Sequence, residues 1–458
     1  DVDALADHGS RWFSLLAGIG AFASATQDVV VDAWRVDVAD ETATIDMLST
    51  VYQLGYRSAV LVGGALALFL AEGLGWSAVY AIMGVLMAVI GCASLFAPDG
   101  QQTGATIAAD AETLAELRAP GELEPRVRAT ALAVVGVLWL WALVTVGVFM
   151  VRSLGGDPGT RPDSVAFVAQ QGPLIVIATV VIPAIIAAWL VRQKQRGRHV
   201  LTAHVPSASR ADAIVDHGYR ALILPLTDIV GRLGWATVLV LGLVLSYRIT
   251  DTIWGTFAYP FYLGELHYSK EEVAVASKFF GVGALMFGVA LGGVLFAYIG
   301  RMAVMTLGAL TAALTNLLYA DLSVGGVTMA AGSRMIGLTW LVEHLGGDER
   351  LAKLMFAIAG ENIAGGIAGA ALVAYLSSIT SKKYSAVQYA LLSSLTFLVG
   401  TLGRGALGKM IETQGYYSVF ILTTGIGFVA VILCLMEWWR IRRLGKDAGL
   451  DAVALANA

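Results

Sequence analysis

Residues 24–35 read Ser24-Ala25-Thr26-Gln27-Asp28-Val29-Val30-Val31-Asp32-Ala33-Trp34-Arg35, and they close an apolar helix that starts near Trp12 and runs through Leu15, Leu16, Ile19 and Phe22. Asp28 and Asp32 are four residues apart, so a helix projects both carboxylates from one face, with Gln27 and Arg35 beside them. A charge at membrane depth is costly by several kcal/mol and normally faces a protein interior or a wet cavity. Asp28 has no basic residue within reach along its own helix, and a transport cavity is its expected place. For Asp32 two readings stand: a cavity carboxylate, or a local ion pair with Arg35 near the membrane surface.

Composition agrees that the chain lives in a bilayer. Hydrophobic residues make up 57% of it and charged residues 14%, and the mean hydropathy is +0.73, a balance foreign to soluble domains. Apolar runs long enough to span recur throughout. Eleven are expected: about 12–34, 47–70, 76–96, 129–151, 165–191, 235–263, 273–299, 302–320, 354–379, 389–410 and 416–438. The net charge of −4 is spread over loops, which leaves no basic face for nucleic acid. Cys92 and Cys434 both sit in apolar helices, and none of the six histidines falls inside an expected span. Neither a disulfide framework nor an intramembrane metal site is expected, and no cofactor.

Lysines and arginines collect in cytoplasmic loops. Arg192, Lys194, Arg196, Arg198, Arg210, Arg220 and Arg232, then Arg301, Lys382-Lys383 and the tail Arg440, Arg442, Arg443 and Lys446, fall on one side when the helices alternate. The C-terminus is therefore expected to be cytoplasmic.

The 24–35 stretch resembles the fourth-helix signature of the AmpG muropeptide permease family, a branch of the major facilitator superfamily. Glu361-Asn362-Ile363-Ala364-Gly365-Gly366-Ile367-Ala368-Gly369, followed by Tyr384-Ser385-Ala386-Val387-Gln388-Tyr389, resembles its tenth helix and the start of its eleventh. Gly75-Trp76-Ser77-Ala78-Val79-Tyr80 is similar to its fifth-to-sixth connection. The resemblance implies an all-α integral membrane fold of the major facilitator type, with the chain starting where the family's fourth helix starts. An internal echo points the same way. Glu72-Gly-Leu-Gly75-Trp76 and Glu412-Thr-Gln-Gly415-Tyr416 share their pattern, and each precedes the last helix of a bundle, as expected of two related halves. Two expected spans precede the first junction and five the second, so the first half is expected to lack three helices here. The expected organisation is residues 1–97 for helices four to six, 98–234 for a linker carrying two additional spans, 235–440 for a six-helix bundle, and 441–458 for a cytoplasmic tail. Chance similarity of aromatic-rich helix starts is the alternative for the echo.

The second half repeats the pattern of polar groups inside apolar helices. Arg248 and Asp251 are three apart, either neutralising each other or facing the cavity. Lys278 is a cationic substrate contact, a partner for Asp251, or a side chain snorkelling to the outer interface. Glu361 has no basic neighbour in its own helix and lies among small residues that let backbones approach. It is a proton-carrier candidate, against the alternative of a hydrogen-bonded helix tie. Proton-coupling candidates are thus Asp28, Asp32, Asp251 and Glu361; substrate-binding candidates are Gln27, Arg35, Arg57, Arg248, Lys278, Asn362 and Gln388.

What the resemblance implies is a proton-coupled secondary transporter importing muropeptides (N-acetylglucosamine–anhydro-N-acetylmuramic acid, with or without peptide) across the bacterial inner membrane for cell-wall recycling. The partners are then the solute, protons and membrane lipid, with a monomer expected for the complete protein. The sequence itself carries only a cavity of carboxylates, cations, amides and aromatics, and lacks a Gly-x-x-x-x-Gly-Lys-Ser/Thr loop for ATP drive. Alternatives are a related carrier of another solute such as acyl-CoA, and a non-transporting remnant. An intramembrane transferase would need a residue constellation for which His344 and Asp348 are the one close pair; no enzyme is expected.

Overall fold

The computed structural model describes residues 2–98, 113, 116–155, 162–205 and 210–447. Among them the chain is helical throughout, with a single isolated β-bridge between Leu123 and Val200. The long helices are α1 (Val2–Asp37), α2 (Ile45–Val60, continuing through a π-helical turn into Ala67–Leu74), α3 (Trp76–Ser94), α4 (Pro125–Gly155), α5 (Ala166–Gln195), α6 (Ala236–Glu265), α7 (Lys270–Ile299), α8 (Arg301–Ser323), α9 (Glu349–Ile379) and α10 (Ser385–Asp447). Eight helical stretches among the described residues are long and apolar enough to cross a membrane. The expected spans 12–34 and 47–70 also fold as helices, but Gln27, Asp28 and Asp32 interrupt the first and Tyr52, Gln53 and Arg57 the second. The expected spans 389–410 and 416–438 are the two limbs of α10, broken at Gly415.

The break at Gly415 is one of three alike. Gly75, between α2 and α3, has φ 77° and ψ 157°; Gly300, between α7 and α8, has 77° and 163°; Gly415 has 79° and 169°. This region of backbone space is essentially glycine's own. The sequence echo between Gly75 and Gly415 is therefore a shared turn, and Gly300 is a third copy that sequence pattern missed. Three-helix units follow: α1–α2–α3, α6–α7–α8, and α9 with the two limbs of α10. Nested three-helix repeats are the building plan of major facilitators, and the fold class expected from the sequence stands.

Small residues set the closest approach in the core. A Cβ on Gly288 of α7 would lie 2.3 Å from the Ile363 carbonyl oxygen, and one on Gly366 of α9 would lie 2.4 Å from that of Leu285. The glycines around Glu361 thus form a packing seam; Gly369 faces elsewhere, where an added Cβ would lie 3.4 Å from Arg248 Nη1. The apolar side chains around this seam, among them Leu243, Val244, Val289, Met305 and Tyr375, are buried.

The linker has a small core of its own. Arg128 at the start of α4 is fully buried and pairs with Asp216 at 2.9 Å, and Arg118 bonds the other oxygen of the same carboxylate. Leu117, Leu123, Val135, Leu190, Tyr219 and Ile223 form a small core around them. A helix over Leu224–Leu233 ties this core to the third unit: Gln388 donates to the Pro225 carbonyl at 2.9 Å and to Asp228 at 2.8 Å.

Candidate functional site

The first unit meets the other two along a polar seam. Thr44 caps α2 by accepting from the Met47 N–H, and Asp40 braces the approach by accepting from the Thr42 and Ala43 backbones at 2.8 and 2.6 Å. Those two donors, Ala43 first, hold the Asp40 carboxyl below its usual range. The turn so fixed aims Asp46 at Arg301, which returns two bonds at 2.7 and 3.3 Å. Lys382 donates to the Ala39 carbonyl at 3.2 Å on the same face, and Arg232 to that of Ile379 at 3.0 Å. The structure therefore gathers Arg232, Arg301 and Lys382 at one end of the helices, called here the basic face.

Just inside that face lies Arg35, which is 2% exposed. It pairs with Asp32 at 3.2 Å, donates to Ser377 of α9 at 3.1 Å, and stacks over Tyr52 and Tyr389 at 4.4 and 5.1 Å. Asp32 and Arg35 thus form an ion pair, and it lies largely buried in the seam rather than at the surface. Asp28 and Gln27, one turn on, are exposed.

A second cluster lies farther along. Arg248 and Asp251 pair at 3.1 Å, and Arg57 of α2 lies within Coulombic range of both. Arg35 keeps its Nε and Nη1, Arg57 its Nε and Arg248 its Nε buried with no hydrogen-bond partner. Such orphaned donors are uncommon and ask for an explanation. Near Asp251, Glu361 accepts from the Tyr319 hydroxyl, which in turn accepts from Tyr262 at 3.0 Å. Trp254 packs on Tyr319 with ring centroids 4.5 Å apart, and Phe261 and Phe420 complete an aromatic box.

The structure thus brings together Asp32 with Arg35, and Arg57 with Arg248 and Asp251, and it sets Glu361 near Asp251. It does not bring the others in. Asn362 bonds back to the Ile358 carbonyl of its own helix at 2.8 Å. Lys278 is exposed, 5.6 Å from the Tyr259 ring, and not joined to Asp251. Gln388 is fully buried, and its amide also accepts from Ser381 N at 2.7 Å and Arg232 at 3.2 Å. Both donors and the acceptor are spent on a helix clamp, which leaves nothing for a solute. His344 and Asp348 serve helix ends, the first near the Trp340 carbonyl at 2.9 Å and the second capping Leu351 N at 2.8 Å. Sequence reasoning missed Tyr319, Tyr262 and Ser377, because a tyrosine or serine inside an apolar helix carries no signal of its own.

No protein-family model matches the chain. It is 24% identical to the anhydromuropeptide permease of Escherichia coli over 431 residues, which is 93% of this chain and 60% of that protein. It is 28% identical to AmpG 4 of Rickettsia felis over 215 residues, 47% of this chain and 46% of the relative, and 26% identical to AmpG 1 of Rickettsia prowazekii over 204 residues. The chain therefore spans between about half and three-fifths of the length of the first of these relatives. Along nearly its whole length the chain is similar to the AmpG permeases, the family that the motifs at Ser24–Arg35 and Glu361–Gly369 resemble.

Proposed function

We propose that this chain forms the solute cavity of a proton-coupled secondary transporter that imports anionic muropeptides across a bacterial inner membrane, with the basic face and the C-terminus in the cytoplasm. The observation that carries the reading is the row Arg35, Arg57 and Arg248, whose buried N–H groups have no acceptor. A carboxylate is the acceptor that a guanidinium fork takes best, and muropeptides carry several. Each arginine also stands beside a carboxyl or an aromatic ring, so a bulky sugar–peptide meets charge and stacking surface together.

Coupling would run through Glu361. Its Tyr319 partner holds the carboxyl in place, and the aromatic box keeps bulk water from one side of it. One proton moving down 100 mV is worth about 2.3 kcal/mol, enough to bias an alternating cycle strongly.

A second reading has one observation in its favour: the same arginine row suits the phosphates of an acyl-CoA equally well. The deciding experiment is uptake into proteoliposomes with an imposed pH gradient, using labelled anhydromuropeptide with unlabelled muropeptide or CoA as competitor. Muropeptide accumulation that CoA does not inhibit, and that Arg57→Gln and Arg248→Gln each reduce at least tenfold (about 1.4 kcal/mol of binding), is the expected result. Competition by CoA with no effect of muropeptide would move the assignment to the second reading.

A further inference from the structure

A cavity of about 320 Å³ lies between the central pair α4–α5 and the units around α6 and α10. That is the low end of the 300–1,000 Å³ range of ligand pockets. Trp139, Pro183, Leu241 and Leu395 supply apolar walls. Pro183 explains how the space arises. Without an N–H it cannot bond the Thr179 carbonyl four residues back, the helix widens into a π-turn over Ile177–Val181, and the Trp139 indole takes that carbonyl at 3.2 Å instead. The hydroxyls of Thr179 and Ser394 are spent on their own helices, at 2.7 and 2.8 Å. Thr237 alone of these wall hydroxyls is left, 8% exposed with its Oγ1 buried and unpartnered.

Water needs two to four polar partners to settle in a cavity, and one hydroxyl does not supply them. Trp139, Thr179, Pro183, Thr237 and Leu241 belong to stretches long and apolar enough to cross a membrane, so the neighbouring molecules are lipids. Toward the basic face, two residues before the lining Thr237, stands Trp235, which is 82% exposed, with the Arg192 guanidinium stacked over its ring at 5.1 Å. Arg196 and Lys194, the latter paired with Glu122 at 2.5 Å, follow at the same helix end. A tryptophan with clustered cations at a helix end marks a membrane interface that favours anionic headgroups. Stacking occupies the face of the guanidinium, and a phosphate takes the N–H groups along its edge.

We propose that this cavity seats one acyl chain of an anionic phospholipid whose phosphate is held at Arg192, so that lipid joins the central helix pair to the transporting bundle. The site is separate from the arginine row, and its test does not depend on what the protein carries.

The test reconstitutes the full chain with diazirine-chain phosphatidylglycerol or, in parallel, diazirine-chain phosphatidylcholine, and maps cross-links by mass spectrometry. Phosphatidylglycerol should label the segments around Trp139 and 391–395 several-fold more than phosphatidylcholine. Ala184→Phe, which fills the cavity, should remove that labelling. Arg192→Gln, a surface change that leaves packing alone, should reduce it to the phosphatidylcholine level. Equal labelling by the two lipids, or labelling that survives both substitutions, would overturn the proposal. So would cross-links confined to the outward surfaces of α4 and α5.

Discussion

Residue by residue, the candidate site separates into side chains already paired and side chains still owed a partner. Glu361 has an internal donor and Asp251 an ion-pair partner, Asp32 faces Arg35 at 3.2 Å with its Oδ1 lacking a hydrogen bond, and the three arginines retain buried N–H groups without acceptors. Glu361→Gln preserves an acceptor for the Tyr319 hydroxyl and removes the proton that could be carried. In proteoliposomes this variant should still exchange labelled muropeptide across the membrane at near wild-type rate, but should no longer accumulate it against a gradient when a pH difference is imposed. Proton-driven accumulation at normal levels would place the carrier elsewhere. Glu437 is the counter-example. It is fully buried, yet Tyr375 at 3.0 Å and Arg440 at 2.7 and 2.6 Å saturate it; it is a fixed strut rather than a carrier.

Among the elements, the α7–α9 seam holds Glu361 in register. Gly288 and Gly366 touch backbone across it, not flexible side-chain ends, so an added methyl cannot be met by a rotamer change. Gly366→Ala should lower stability by about 1–3 kcal/mol, the usual penalty of overpacking, read as a fall in melting temperature of the detergent-solubilised protein. Gly365→Ala is the control, since a Cβ there would find its nearest neighbour at 4.0 Å; an equal loss from both would refute the seam. The small residues flanking Glu361 were legible in the sequence as a group. Which of them face α7 was not, because that depends on the crossing of two helices some 75 residues apart in the chain, a geometry no local pattern encodes.

Over the whole molecule, the first unit is joined to the rest at one end. Ser49, Thr50 and Gln53 of α2 are buried and the Asp46–Arg301 pair closes the basic face, while Tyr56 and Val60 farther along α2 are exposed. The seam is thus tight at the basic face and opens away from it, an arrangement that fits access from the opposite side. Both partners of the latch are largely buried, and breaking such a pair costs more than a surface bridge does. Asp46→Asn should increase labelling of cysteines placed at the basic-face end of α1 by a membrane-impermeant maleimide. The charge swap Asp46→Arg with Arg301→Asp should restore protection. Unchanged labelling in Asp46→Asn would mean that the pair does not hold the seam.

The sequence by itself determined the all-α membrane class, the similarity to AmpG permeases and the helix-turn echo at Gly75 and Gly415, and it offered Asp32–Arg35 and Arg248–Asp251 as local ion pairs beside a cavity-facing reading of each, because these patterns are written along single helices and their ends. Only the tertiary structure decided that Gly300 is a third copy of that turn, that Gln388 is a clamp, that Asn362 and Lys278 stand apart from the cluster, and that Tyr319 holds Glu361. The reason is common to all four. A polar side chain in an apolar helix advertises that it needs a partner, but its partner comes from another helix, and the packing of backbones chooses which one.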